Sequence, residues 1–441
     1  MQEDQCGTQK LLTPEETKIQ ELGPAKIDSP LEFGKFCEDD DGVLVYISRS
    51  SYEEKDRNPV YFEKAGPRNK IYFDASKTKC AIVTCGGLCP GVNDVIRSLV
   101  MEACHNYKVS GVLGIRYGLE GFIAEYGHDV WEMTPESVSS IHEFGGTVLG
   151  TSRGPQPTED ICDALERMNV SALFMIGGDG TMRAAGKIMD EIESRSCKIS
   201  IIGIPKTIDN DINFVARSFG FDTAVEKATE AIRSAHTEAI AAKNGIGLVK
   251  LMGRHSGHIA AQAAMSLKEV NFVLVPEEKF DLKGDNGFLA HLHRRLERRG
   301  HAVIVVAEGA GEDLLEPTGE TDPSGNPVLP DIAGLLKAKI KKYLDEKKMP
   351  FTLKYIDPSY IIRSIPANSE DRLYCGFLGQ NAVHAAMSGK TGMVVSKWNG
   401  RFVHLPLHLV TTGGPKSIDV NSNYWRSVLE STGQPASLKN D

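Results

Sequence analysis

From residue 79 onward, short apolar runs alternate with glycine-rich turns and amphipathic stretches. KCAIVT leads to CGGLCPGVND and then IRSLVMEACHNY. VSALFMI leads to GGDGT and MRAAGKIMDEIE, and KISIIGI leads to PKTIDNDI and, later, ATEAIRSAHTEAIAA. A short apolar run bounded by turn residues reads as a buried strand, and apolar positions three and four apart read as a helix face. SGVLGIRYG, NGIGLVKLMGR, NFVLVPEE and HAVIVVAEGAG extend the strand series. HSGHIAAQAAMS, FLAHLHRRLERRG, IAGLLKAKIKKYLDEKK and LGQNAVHAAMSG extend the helices. FTLKYIDPSYIIR reads as strand and turn, and TGMVVSKWNGRFVHLPL is strand-rich. Strands that alternate with helices predict a mainly parallel sheet covered on both faces.

Residues 1–75 have a different texture, polar and irregular, with strands expected in DGVLVYISRS and KIYFDASK. This part is expected to pack onto the main body as an extension, with its first thirty residues disordered. The chain has 441 residues, long enough for two or three domains. Its 41% hydrophobic and 25% charged content is that of a soluble globular protein. A net charge of −9 points away from nucleic acid and anionic membranes as partners, and no apolar run has the length of a membrane span. Neither end carries a targeting address, and nine cysteines without a paired framework indicate reduced thiols, so a cytoplasmic location is expected. Cys85 and Cys89 read as small packing residues. His255 and His258 lie three apart without a third ligand, so they are not read as a metal site.

Ligands of open α/β sheets bind beyond the carboxyl ends of the strands, where every glycine-rich cluster of this chain falls. Gly86 and Gly87 follow AIVT, and Gly177 and Gly178 follow ALFMI. Glycine lets the backbone approach a phosphate, and the next helix turns its amides and dipole toward it. Asp179 adds a carboxylate to that setting, which a Mg²⁺ between acid and phosphate would reconcile. The competing role for Asp179 is a helix cap ahead of Thr181. In the segment TIDND, an extended backbone would set Thr207, Asp209 and Asp211 on one face and Lys206, Ile208 and Asn210 on the other. A hydroxyl and two carboxylates on one side suit a cleft in which an acid takes the proton of an attacking hydroxyl. The competing reading is a turn capped by Asp or Asn. No GxxxxGK[ST] and no protein-kinase signature occurs.

Together, CGGLCPGVND, GGTVLGTSRG, GGDGT, PKTIDNDI, KLMGRHSG, AEGAG and YIDPSYIIR, in that order, resemble the 6-phosphofructokinase family over about residues 76–412. NGIGLVKLMGR, YIDPSYIIR and AGPRNKIYFD are similar to its plant and trypanosomatid ATP-dependent branch. The resemblance implies the phosphofructokinase fold: two doubly wound, Rossmann-like α/β domains with mainly parallel sheets and an N-terminal extension. It implies an extension at 1–75, a nucleotide-binding domain at 76–220 with 363–412, a fructose 6-phosphate-binding domain at 221–362, and a C-terminal segment at 413–441. The activity implied is transfer of a phosphoryl group from Mg–ATP to the 1-hydroxyl of fructose 6-phosphate, in glycolysis, by a homotetramer or dimer.

Roles follow by the same resemblance. Gly87, Arg153, Gly154, Gly178, Gly180 and Thr181 fall at donor positions, and Asp179 at the Mg²⁺ position. Asp209 falls at the base, with Lys206, Thr207 and Asp211 around the phosphates and metal. Met252, Gly253, Arg254, Glu308, Tyr360, Arg363 and Lys354 fall at the sugar-phosphate positions. Arginine suits those positions because guanidinium binds oxyanions bidentately. Gly180 is what ATP users of the family carry, whereas pyrophosphate users carry a second aspartate there and a lysine like Lys206. Gly245 and Lys354 stand where small bacterial members have arginines that reach the neighbouring subunit's substrate. Leu119 replaces an aromatic residue near the nucleotide. A pyrophosphate-dependent phosphotransferase and a non-catalytic nucleotide-sensing subunit remain as alternatives.

Overall fold

The computed structural model describes residues 11–440 except 33, 49–57 and 322–326. The extension contributes the short strands β1 (Gln20–Glu21), β2 (Ile27–Asp28), β3 (Gly42–Leu44), β4 (Tyr61–Glu63) and β5 (Lys70–Ile71). The expected strand in DGVLVYISRS is cut to three residues and that in KIYFDASK to two. Disorder was expected for the first thirty residues, of which 1–10 lie outside the described residues. Residues 11–30 instead hold a 3₁₀ turn at Glu15–Thr17 and two strands. Their anchors are pairing and apolar contact: β1 runs antiparallel to β15 (Lys390–Thr391), the Lys390 ammonium lies 2.5 Å from Glu21, and Ile19 is buried in the core.

The body begins with β6 (Lys79–Thr84), α1 (Val92–Met101), β7 (Gly111–Ile115), β8 (Trp131–Met133), α2 (Thr158–Arg167), β9 (Ala172–Gly177), α3 (Asp179–Ser194) and β10 (Ser200–Pro205). It continues through α4 (Phe221–Ile240), β11 (Gly245–Leu251), α5 (His258–Leu267), β12 (Phe272–Leu274), α6 (Phe288–Arg299), β13 (His301–Ala307), α7 (Ile332–Glu346), β14 (Thr352–Ile356) and α8 (Ser359–Arg363). It closes with α9 (Ser369–Met387), β16 (Met393–Trp398), β17 (Arg401–Pro406), α10 (Leu407–Thr411) and α11 (Asn423–Thr432).

Two sheets carry the site. One has seven strands in the order β17-β16-β10-β9-β6-β7-β8, parallel except for its edge strands β8 and β17. The other has four parallel strands, β12-β13-β11-β14. Along β6, Cys80 and Ile82 face one core while Ala81 and Val83 face another, so the apolar run buries both faces. The first core continues through α4 and α9 to Val249, Leu251, Val303 and Val305 of the four-stranded sheet. Burial on this scale supplies most of the driving force for assembly. Among the described residues, no helix is long and apolar enough to cross a membrane.

Register decides where the loops emerge. Thr84 pairs with Ile176 and Gly177 with Pro205, so β6, β9 and β10 end at one level. Since β7 lies on one side of β6 and β9 on the other, the strand order reverses at β6, and a crevice opens there. Leu251 pairs with Ala307, which aligns the ends of β11 and β13 in the same way.

Candidate active site

Three loops leave the aligned ends of β6, β9 and β10. The first, residues 85–91, turns at Gly86 (φ +81°) and Gly91 (φ +98°) into α1. Gly91 is obligatory: a Cβ would lie 2.7 Å from Cys375 Sγ. Within this loop Cys85 and Cys89 are buried as packing residues, and burial pushes both thiols up to about 12. The segment 144–154 covers the loop. Buried Asn93 donates to Phe144 O (2.9 Å) and accepts from the Val148 amide (2.9 Å), while Thr151 Oγ1 donates to Gly86 O (2.8 Å). Arg153 and Gly154 (φ +95°) follow on this cover, and Arg153 is near enough to Lys206 to disfavour its charge.

In the second loop, Gly178 precedes α3, and Asp179 is its first residue. A Cβ at Gly177 would meet Thr181 Oγ1 at 2.1 Å, and one at Gly178 would meet Lys206 O at 3.3 Å. Beside Gly180 there is open space: nothing lies within 4 Å of its Cβ position. Asp179 is half-exposed and pairs with Arg183 at 2.7 Å. Burial raises its pKa, Arg183 opposes that rise, and the charge of Asp211 adds to it.

The third loop differs from an extended TIDND. β10 stops at Pro205, and the chain bends, with Asn210 in the left-handed region (φ +54°). Thr207 and Asp211 still meet, but across a turn: Thr207 Oγ1 donates to Asp211 Oδ1 at 2.7 Å and accepts from the Asp209 amide at 3.2 Å. Asn210 Oδ1 accepts from the Ser218 amide at 3.0 Å, which ties the bend to the segment eight residues on. Ile208 is buried in the core instead of sharing a face with Lys206. Lys206 reaches back to the first loop, its ammonium donating to Gly87 O at 2.6 Å. Burial pushes its pKa down, and Arg363 and Arg153 add to the effect.

The four-stranded sheet supplies the opposite wall. Met252, Gly253 (φ +130°) and Arg254 follow β11, and Glu308 follows β13, with the Glu308 amide donating to Leu251 O (2.9 Å). A Cβ on Gly253 would lie 2.3 Å from Ser256 O. Arg254 Nη1 donates to Pro327 O at 2.5 Å. Ser256 Oγ donates to Asp209 O at 3.3 Å, joining the two strand-end clusters. Burial raises the pKa of Glu308, against the pull of Arg254 and Lys250.

Asp209 sits between the walls. Its Oδ1 is buried and has no hydrogen-bond partner among the described residues. Burial first, then the charges of Asp211 and Glu308, hold its carboxyl well above the ordinary range, and Arg254 pulls the other way. Arg363, on α8, stacks over the exposed Tyr360 ring at 4.7 Å and has a buried Nε without a partner. Its Nη1 is 4.0 Å from the Cβ position of Gly87, so this arginine faces the glycine loop. Lys354 stands apart, mid-strand in β14, paired with Glu238 on α4 at 3.7 Å. Leu119 is buried in the core beside the first loop, and Gly245 could carry no side chain because its Cβ would lie 2.0 Å from Ala239 O.

The donor set suits a magnesium ion completed by phosphate oxygens. Asp179 and Asp211 are close enough for one to raise the other's pKa, and among the described residues no cluster would hold a metal by protein ligands alone. Several supports escaped the sequence reading. Asn93 lies within a quoted motif. Asp371, fully buried, accepts from the Thr223 amide (2.8 Å) and hydroxyl (2.6 Å) and so ties the start of α4 to the start of α9. No local pattern marks either residue, because their partners are far away in sequence.

Glycine loops, acids and arginines gathered over the aligned strand ends of two parallel sheets have the build of a phosphoryl-transfer enzyme. The chain belongs to the phosphofructokinase family, which matches residues 79–386. It is 49% identical to the ATP-dependent 6-phosphofructokinase of Borreliella burgdorferi, over 96% of this chain and 98% of that protein. It is 45% identical to ATP-dependent 6-phosphofructokinase 7 of Arabidopsis thaliana, over 86% and 78%. Its fold matches the pyrophosphate-dependent phosphofructokinase of Marinobacter aquaeolei with a TM-score of 0.66 at 19% identity, over 80% of this chain and 91% of that one.

Proposed function

We propose that the protein is an ATP-dependent 6-phosphofructokinase. The observation that carries the reading is Asp209, a buried carboxylate with an unpartnered Oδ1 between the two strand-end walls. The 1-hydroxyl of fructose 6-phosphate attacks the γ-phosphorus of ATP, and its proton passes to Asp209. The new O1–P bond forms as the bond from phosphorus to the bridging oxygen breaks, leaving ADP. A carboxyl whose pKa is held high makes a better proton acceptor once ionised. Asp179 and Asp211 would hold Mg²⁺, which when bound would offset phosphate charge. Gly87, Gly178 and Thr181 with Arg153 and Gly154 cradle the donor. Lys206 fixes Gly87 from below. Met252, Gly253, Arg254, Glu308, Tyr360 and Arg363 take the sugar phosphate. Lys354, outside the cluster, serves the neighbouring copy in a homo-oligomer.

The open space at Gly180 favours a nucleotide over pyrophosphate, since an acidic side chain there would repel further phosphates. The donor domain comprises 76–220 with 363–412, the acceptor domain 221–362, and the location is cytoplasmic, in keeping with buried free thiols. Initial rates on fructose 6-phosphate with Mg²⁺ test the reading. Turnover with ATP and not with pyrophosphate is expected; pyrophosphate alone would overturn the donor, and no turnover with either would favour a nucleotide-sensing subunit.

A further inference from the structure

After α10 the chain crosses to the other sheet once more, and it does so over the catalytic bend. Lys416 is a point of contact. Its amide donates to Asp211 O at 2.6 Å, and its ammonium donates to Val215 O at 2.7 Å and Ala216 O at 3.4 Å. Two residues on, the Ile418 amide donates to Glu277 Oε1 at 2.8 Å. The same carboxylate accepts from the Gly257 amide at the start of α5 (3.0 and 3.1 Å). α11 then packs on α5, and Gln434 Oε1 accepts from the Val273 amide of β12 at 2.7 Å. The strap is thus fastened to the acceptor side at several points and to the bend through Lys416 and through Asn213, whose Nδ2 donates to Thr412 O at 3.0 Å. It lies outside the segment that matches the family, residues 79–386.

An ammonium turned onto backbone carbonyls, with no carboxylate among the described residues bonded to it and only the nearby charge of Asp211 to offset its burial, is an expensive fastening. A leucine or methionine would pack there without that cost. What the ammonium adds is direction: it holds the carbonyls that follow the bend while the lysine amide holds the carbonyl of Asp211. We propose that Lys416 is a positioning residue for phosphoryl transfer. It fixes the bend that carries Asp209 and Asp211 to a strap anchored on the acceptor wall, so that the base and the acceptor share one frame. Its target is the reaction assigned to this site above, and the inference rests on that reading.

The test is Lys416→Met in the full chain, which keeps the stem and removes the charge. Misplacing a catalytic group by even an ångström costs roughly a hundredfold in rate. The expected result is therefore a kcat lower by about ten- to a hundredfold, with KM for ATP and fructose 6-phosphate within about twofold and a thermal midpoint no lower than wild type. Hydrogen–deuterium exchange on the unliganded protein should quicken at 206–218 but not at 172–177. Unchanged exchange at the bend overturns the assignment, as does an unchanged kcat beside active wild type. So does a rise in KM alone. If the wild type does not phosphorylate fructose 6-phosphate, the functional reading fails, and the exchange result still decides whether Lys416 fixes the bend. Should the methionine variant not fold, Lys416→Gln carries the same measurements with one donor retained.

Discussion

Two regions of this molecule bury charge, and they do so in opposite ways. Where the extension meets β15 and β17, Glu63 lies 2.9 Å from Arg68, 2.9 Å from His404 and 3.2 Å from Lys390. Burial by itself would raise the Glu63 pKa, but the His404 hydrogen bond and the neighbouring cations overcome it and hold the carboxyl at about 2. At the catalytic bend, Asp209 has acids for neighbours and an oxygen without a partner, and its carboxyl is held high. The first arrangement is what assembly requires, because buried ions are tolerable when paired. The second costs stability and, on the function proposed above, serves chemistry, which needs a group able to change its protonation. Pairing, rather than burial, separates the structural charge from the reactive one.

Neutralising each region should therefore move opposite quantities. Asp209→Asn is expected to lower kcat by about 10²–10⁴-fold, the range for a lost general base. It should also raise the thermal midpoint at neutral pH. The sign follows from the raised pKa: ionising Asp209 costs folded stability as pH rises through its folded pKa, and asparagine removes that cost. A falling midpoint would break the comparison. Glu63→Gln should do the reverse, leaving kcat per folded molecule intact while destabilising the fold by about 3 kcal/mol in urea titration. Because the Glu63 pKa is depressed, its contribution is present above the ordinary value near 4.5 and fades as pH falls toward about 2. In the variant, that portion of the acid sensitivity should be gone.

Asp211→Asn sharpens the reactive side. The charge of Asp211 helps to hold the Asp209 pKa up, so its removal should move the acidic limb of the kcat/KM profile to lower pH. Because Asp211 is also assigned to the Mg²⁺ site, the rate should fall as well, and the displacement along the pH axis is the diagnostic part of the effect. It is read by profiling both proteins in saturating Mg²⁺. A limb that stays where it was, with the rate reduced, would mean that the limb belongs to a group other than Asp209.

The sheets were legible because their strands are uniformly apolar and bounded by glycine turns, as in ALFMIG, whose six residues are all buried. The loops after β6, β9, β10, β11 and β13 were legible for the same reason, since each follows such a strand, whereas Arg153, Lys354, Tyr360 and Arg363 have no such strand before them. What the sequence could not show depends on partners far along the chain. β8 adds to β7 through three residue pairs that no periodicity announces. The turn geometry of TIDND depends on Asn210 entering the left-handed region, so alternation brought Thr207 and Asp211 together for the wrong reason. Lys416 looks like any surface lysine until its contacts with Asp211 and Val215 are seen, about two hundred residues back.

Lys354 provides the smallest test, and the one for which pairing and position disagree. It has a partner, Glu238, but both side chains are about half-exposed, at 53% and 57%. Such a pair contributes at most about 1 kcal/mol, so Lys354→Ala should barely change the melting midpoint. Within one chain it is also remote from Asp209, and kcat should hold. If Lys354 reaches a neighbouring copy's sugar phosphate, KM for fructose 6-phosphate rises about fivefold, near 1 kcal/mol. That rise should fade when the protein is diluted below its assembly concentration, since wild type then loses the same contact. A KM equal to wild type at all concentrations would return Lys354 to the ordinary exposed pairs, and would leave the acceptor site to the groups that one chain gathers by itself.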